Sequence, residues 1–253
     1  MNLQDRMKKV QDTIAAAAAR SRRDPREILL IPVTKAATTD QVKHVIEMGC
    51  GDLGESRVQQ LQQRAAQIDE WLTRQQSRDL KKPLPAPGTI RWHMIGHLQR
   101  NKVRPVMTMC QAIHSVDSLR LAEEIQEEAE RLRGTPVAGG GPRTPMQVLL
   151  EVNVAGEGSK FGVAVGAAQH LAEQIDTMDD VHLIGLMCMA PFSSNPEDAR
   201  PVFARLREIF EDIKFRKIGG DRFKHLSMGM SGDYPVAIEE GATMVRLGSA
   251  IFG

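Results

Sequence analysis

From residue 29 onward the sequence alternates short β-branched or apolar runs with stretches of helical periodicity, and that order admits few folds. The candidate strands are Leu29–Thr34, Asp52–Gly54, Arg91–Ile95, Ala112–Ser115, Gln147–Asn153, Leu183–Met189, His225–Met228 and Thr243–Leu247. Helical patterns lie between them, near 40–48, 56–73, 98–108, 118–132, 164–177, 196–214 and 232–240. Strands separated by helices pair in parallel through right-handed crossovers, which makes the class α/β. Eight such units close into a (β/α)8 TIM barrel, and 253 residues suits one. An open doubly wound sheet has a similar strand count and is the alternative; the barrel is favoured.

An extra N-terminal helix precedes the alternation, from Leu3 to about Arg22. Its apolar positions are Leu3, Met7, Val10 and Ile14, an alanine run follows, and Asp24-Pro25 closes it. The basic cluster Arg20-Ser21-Arg22-Arg23 sits at its C-terminal end, where cations suit the helix dipole, and reads as a solvated terminus. Two Pro/Gly-rich inserts, near 77–89 and 134–145, read as mobile surface loops on a single domain spanning 1–253, because the alternation resumes after each.

Composition narrows the function. Lys and Arg number 33 against 32 Asp and Glu, a net charge of +1, so no global field steers the chain to nucleic acid or an anionic membrane. Aromatic residues make up only 4%, too few for a base-stacking surface. Cys50, Cys110 and Cys188 are scattered and odd in number, which fits a reducing compartment and neither a disulfide framework nor a zinc site. The first residues lack the apolar stretch of a signal peptide, and no window reaches the ~20 apolar residues of a membrane span. A cytoplasmic protein with a small-molecule role is expected, a monomer with no nucleic-acid or membrane partner.

Several motif matches fail. Gly229-Met230-Ser231-Gly232-Asp233 has Asp where a nucleophile elbow needs its last Gly, and Gly156–Lys160 lacks the phosphate-loop order. His93 and His97 straddle a strand end and a glycine, a poor arrangement for sharing a metal, and no metal site is expected. Lys35 is different. It follows an apolar run and falls at the C-terminal end of the first strand, where the chemistry of a parallel barrel collects. A lysine amine can condense with an aldehyde. At the other edge, Leu226–Ser231 and Val245–Ser249 end the last two strands with small residues and hydroxyls, which allow backbone N–H groups to approach a phosphate. First and last strands are neighbours in a closed barrel. A phosphate-bearing aldehyde fits that geometry, and pyridoxal 5'-phosphate is one.

The residues also resemble a known family. Pro32-Val33-Thr34-Lys35, Gly54-Glu55-Ser56-Arg57, the run Trp92–Lys102, Glu151-Val152-Asn153, Lys160-Phe161-Gly162 and the stretch Leu226–Gly253 are similar to the YggS/PROSC family of pyridoxal phosphate homeostasis proteins, over nearly the whole chain outside the inserts. That family has the fold-type III barrel, like the N-terminal domain of alanine racemase. The resemblance implies Lys35 as the Schiff-base lysine, Arg246 facing the pyridine nitrogen, and Ser227, Gly248 and Ser249 on the phosphate. Ser56 stands where the family commonly has Asn, and no role is carried to it.

The resemblance implies a carrier rather than an enzyme, one that binds, buffers and supplies the cofactor and transiently meets apoenzymes that depend on it. An arginine is a donor only, so it satisfies a ring nitrogen that is unprotonated, and such a ring is a weak electron sink. A fold-type III racemase or lyase is the alternative. Racemisation needs two opposed bases; the chain is expected to lack the second, since it stops soon after the last strand and its one tyrosine, Tyr234, is expected to pack.

Overall fold

The protein was analysed as a computed structural model, which describes residues 1–76, 83–135, 144–156 and 161–253. Residues 77–82 and 136–143, the first part of one expected insert and the central part of the other, lie outside the described residues, as do 157–160 of the Gly156–Lys160 match.

The helix α1 (Leu3–Arg20) opens the chain, with the Asn2 side chain accepting from the Asp5 N–H at 2.8 Å as its cap. It stops two residues short of the expected end because the Ser21 hydroxyl turns back onto the carbonyls of Ala17 and Ala18, both at 3.1 Å. Its buried face is Met7, Val10, Ile14, Ala17 and Ala18, packed on α8 (Tyr234–Glu239) and α9 (Ser249–Phe252). Its C-terminal arginines are not simply solvated, as expected from sequence. Arg23 donates to the carbonyls of Ile238 and Ala242 at 3.1 and 2.8 Å, and Arg20 pairs with Glu239 at 2.6 Å. Arg23 thus satisfies carbonyls at and just beyond the end of α8 rather than those of its own helix, and Arg20 neutralises a carboxylate there.

The strands β1 (Leu29–Pro32), β2 (Asp52–Glu55), β3 (Arg91–Met94), β4 (Cys110–Val116), β5 (Met146–Asn153), β7 (Val181–Met187), β8 (His225–Ser227) and β9 (Met244–Leu247) form one parallel sheet. Their order is β1-β9-β8-β7-β5-β4-β3-β2, and a bridge between Val33 and Gly54 joins the two ends. The sheet is therefore an eight-stranded barrel, as expected. A two-residue strand, β6 (Val163–Ala164), lies off this path against β5. The helices α2 (Thr39–Glu47), α3 (Val58–Gln75), α4 (Val103–Met107), α5 (Leu119–Arg131), α6 (Val165–Asp176) and α7 (Arg200–Phe215) pack outside the strands.

Period-2 alternation sends every second residue of each strand into the lumen. An apolar cluster of Ile31, Leu149, Ile184, Met187 and Met244 fills part of it. The rest is polar, which is unusual where bulky aliphatic layers normally sit. His93, His114, Ser115, Glu151, Ser227 and Arg246 are all buried.

Candidate functional site

Lys35 is not on a strand. Val33 makes the last bridge of β1, and the chain then tightens into a single 3-10 turn, Thr34–Ala36, that carries Lys35 into the barrel mouth. The turn is fastened from below. The Thr34 hydroxyl donates to Glu55 Oε2 at 2.8 Å, the Ser56 N–H donates to Glu55 Oε1 at 2.9 Å, and Arg64 Nη2 donates to the Ala37 carbonyl at 3.0 Å. Glu55 is fully buried, and Arg64 Nε stands 3.7 Å from its carboxylate as a counter-charge. Buried groups tied this way hold one conformation, so the backbone of Lys35 is fixed while its side chain stays exposed.

Beside the turn, on the adjoining strands, β9 and then β8 deliver the remaining site residues. The backbone N–H of Arg246 donates to the Gly229 carbonyl at 3.0 Å, joining β9 to the loop that follows β8. That loop is closed by Asp233, whose Oδ1 accepts from the Met230 N–H at 2.6 Å; burial pushes the Asp233 carboxyl up. Ser231 Oγ accepts from the Ala250 N–H at 3.1 Å, which ties the loop to α9 and leaves the Ser231 hydroxyl proton free to donate.

One cavity of about 460 Å³ is lined by both regions. Val33, Lys35, Ser56 and Ile95 come from the ends of β1, β2 and β3; Arg246, Ser231, Gly232, Gly248 and Ser249 come from the ends of β8 and β9, which adjoin β1. Among the described residues, none accepts from the backbone N–H groups of Ser231, Gly232, Gly248 or Ser249. Free N–H groups beside two hydroxyls are the donor set an oxyanion such as phosphate takes. The volume is that of an ordinary cofactor site. Gly96 is also part of the lining, and there a Cβ would collide with the Ser56 backbone, so only glycine allows the β2 and β3 loops to meet.

The structure thus brings together Lys35, Arg246, Gly248 and Ser249. Ser227 is a departure. It is fully buried and absent from the lining; its hydroxyl lies 2.6 Å from Arg246 Nη1 and 2.8 Å from His114 Nδ1. Register explains this: Ser227 pairs with Met244, two residues before Arg246, so it sits about 7 Å deeper than the arginine. Ser231, four residues on, lines the cavity instead. The guanidinium of Arg246 is itself buried, its Nη2 donating to the Cys188 carbonyl at 2.9 Å. Burial lowers its pKa, and the carboxylates of Glu151 and Asp233 oppose that. Two of its five N–H donors have partners inside the protein, which leaves others for a ligand.

Sequence reasoning also missed the far wall. Met189, Pro191, Phe192, Ser193 and Asn195 come from the loop after β7, which carries no motif. Phe192 is 99% exposed at that rim. His93 and His97 diverge: His93 points into the lumen, whereas His97 stacks on Phe161 with ring centroids 3.8 Å apart and pairs with Asp117 at 3.1 Å. No cluster of metal-ligating side chains occurs among the described residues, and no described helix is long and apolar enough to cross a membrane.

Comparison with known proteins agrees with this geometry. The family model of the alanine racemase N-terminal domain matches residues 7–253. A pyridoxal phosphate homeostasis protein of Aquifex aeolicus is 34% identical over 253 residues, covering 100% of this chain and 98% of its own. Another from Pseudomonas aeruginosa is 35% identical over 254 residues, covering 98% of this chain and 96% of its own. Among solved structures, PipY of Synechococcus elongatus with pyridoxal phosphate bound superposes with a TM-score of 0.74 at 29% identity, covering 95% of this chain and 100% of PipY. A barrel of eight parallel strands and relatives matched end to end give one conclusion: the chain belongs to the alanine racemase N-terminal domain family and, within it, to the pyridoxal phosphate homeostasis proteins.

Proposed function

We propose that this chain binds pyridoxal 5'-phosphate in the 460 Å³ cavity and holds and supplies it without turning over an amino acid. The observation that carries the reading is the shared cavity itself, with the Lys35 amine facing unclaimed N–H donors and a buried guanidinium. The residues fit the group. Ser231, Gly232, Gly248 and Ser249 would hold the phosphate, Arg246 would meet the ring nitrogen, and Lys35 would reach the aldehyde. When bound there, the cofactor supplies a carbonyl that exchanges reversibly between amines. Arg246 donates and cannot accept, so it keeps the ring nitrogen unprotonated and discourages carbanion chemistry. The one tyrosine, Tyr234, is buried in the core rather than opposed to Lys35, which removes the residue a racemase of this fold would use. In this reading the chain acts as a single domain over 1–253, a cytoplasmic monomer that transiently meets cofactor-dependent apoenzymes.

The test loads the protein with pyridoxal phosphate, reduces with borohydride and maps the adduct by peptide mass. The adduct belongs on the Lys35 peptide, and an adduct confined to any other lysine overturns the site. In parallel, the loaded protein is incubated with L-alanine and L-serine, and with an apo-transaminase. Transfer of cofactor without change in the amino acids is expected; turnover near ~1 per second, an ordinary enzymatic rate, overturns the carrier reading.

A further inference from the structure

The polar residues in the lumen are connected. Asp52 Oδ1 lies 2.9 Å from His93 Nε2, His93 Nδ1 lies 2.9 Å from His114 Nε2, and His114 Nδ1 lies 2.8 Å from Ser227 Oγ. Ser227 Oγ in turn receives Arg246 Nη1 at 2.6 Å. The line starts at the first residue of β2, crosses β3 and β4, passes over the lumen to β8 and ends beneath the cavity on β9. Arg91 closes the outer end with a bidentate pair on Asp52, through Nε at 2.8 Å and through Nη2.

Hydrogen-bond stoichiometry gives this line a direction. A guanidinium only donates, so Ser227 Oγ accepts from Arg246 and its own proton goes to His114 Nδ1. His114 then carries its proton on Nε2 and donates to His93 Nδ1, and His93 donates from Nε2 to the Asp52 carboxylate. Every donor in the line then has an acceptor, with both imidazoles neutral. The reverse direction leaves the Ser227 hydroxyl proton without an acceptor among the described residues and makes His93 a second buried cation, both costly for buried groups.

We propose that Asp52, His93, His114 and Ser227 are positioning residues, a one-way hydrogen-bond chain that fixes the Arg246 guanidinium at the floor of the cavity. Charge placement agrees. Burial alone would push the Asp52 carboxyl up, but hydrogen bonds from His93 and Arg91 outweigh it and hold the group below its ordinary range. Burial, then the repulsion that a cationic His93, the Arg246 guanidinium and a cationic His225 would exert on a second charge, hold His114 well below its ordinary value and so neutral; these three face it in the lumen. The chain also commits the Ser227 proton to His114, so Ser227 has none to offer a phosphate. What Arg246 is positioned toward rests on the proposed function; the chain itself does not.

The test has two arms. In the protein without cofactor, 15N-labelled histidine is read by long-range 1H–15N correlation from pH 6 to 8. His93 and His114 are each expected to carry the proton on Nε2; an Nδ1 proton on either at pH 8 overturns the chain. In the second arm pyridoxal phosphate is titrated into wild type and Ser227→Ala by absorbance. Freed from its acceptor, Arg246 loses its orientation, and Kd is expected to rise by about tenfold. Asp52→Asn, which touches no cavity residue, is the companion variant should Ser227→Ala fail to fold, and its Kd is expected to rise about threefold through the chain alone. An unchanged Kd in the folded variants overturns the positioning role. Correct tautomers in a wild-type protein that takes up no cofactor would instead overturn the proposed function and leave the chain standing.

Discussion

Replacing Glu151 with glutamine should stabilise the protein at pH 8 and leave it nearly unchanged at pH 4.5. Glu151 lies on β5 inside the barrel, 2% exposed, and no donor among the described residues reaches its carboxyl. Burial pushes that carboxyl up to about 7, Asp117 adds repulsion, and Arg246 offsets part of both. In the unfolded chain the group returns to about 4.5. Between those values the unfolded chain sheds its proton while the folded protein keeps it, so stability falls as pH rises from about 4.5 to about 7 and is flat above. Some 2.5 pH units at 1.36 kcal/mol each correspond to a loss of ~3 kcal/mol. Glutamine has nearly the same shape and no charge, so the variant escapes the loss. Urea unfolding of wild type and Glu151→Gln, both without cofactor, at pH 4.5, 6 and 8 measures it. The stability difference should grow from near zero to about 2–3 kcal/mol in favour of the variant, with equal m-values. A difference that stays constant across that range would refute the reasoning.

Three further outcomes are expected. Thr34→Val removes the hydroxyl that donates to fully buried Glu55 and should cost about 1–3 kcal/mol in chemical denaturation, while also lowering the yield of borohydride-fixed cofactor on Lys35. Ser249→Ala should weaken cofactor binding less than about tenfold in an absorbance titration, because the backbone N–H groups of Gly248 and Ser249 remain; complete loss would show that the hydroxyl, not the backbone, holds the anion. At pH 8 the native thiols should react slowly with a chromogenic disulfide and fully after denaturation, since burial and then Asp52 push the half-buried Cys50 up to about 11 and burial raises Cys110 as well.

The barrel was legible because its signal repeats: each apolar run followed by a helical period leaves little freedom of topology. Lys35, Arg246, Gly248 and Ser249 were legible for a related reason, since the C-terminal ends of parallel strands converge on one mouth. Depth within the lumen was not. Ser227 and Ser231 look equivalent in the sequence, and only the pairing of Ser227 with Met244 reveals that one lies beneath the arginine and the other beside the cavity. The lumenal chain left a trace that went unread: Asp52, His93 and His114 each occupy an inward position of a strand whose outward neighbours Leu53, Trp92, Met94 and Ile113 are core residues. A polar residue at such a position has to find a partner across the barrel. The loop after β7 carried no trace at all, because its wall of Met189 to Asn195 is built from an irregular segment with no period.

The bracing of α1 has a consequence for how the chain is made. Arg6 Nε donates to the carbonyl of Ile251 at 2.7 Å, across 245 residues of sequence, and the apolar face of Met7, Val10 and Ile14 packs on α8 and α9. During synthesis that face leaves the ribosome well before its partners, which follow some 245 residues later. At ~5–20 residues per second the wait is on the order of ten to fifty seconds. Contacts of such long sequence separation are also slow to form, since loop closure comes before any gain. Docking of α1 therefore belongs to the end of folding, when β1 meets β9 and the ring closes. Until then the nascent chain carries an exposed amphipathic helix, which makes residues 3–20 a stretch where a chaperone has a long opportunity to bind.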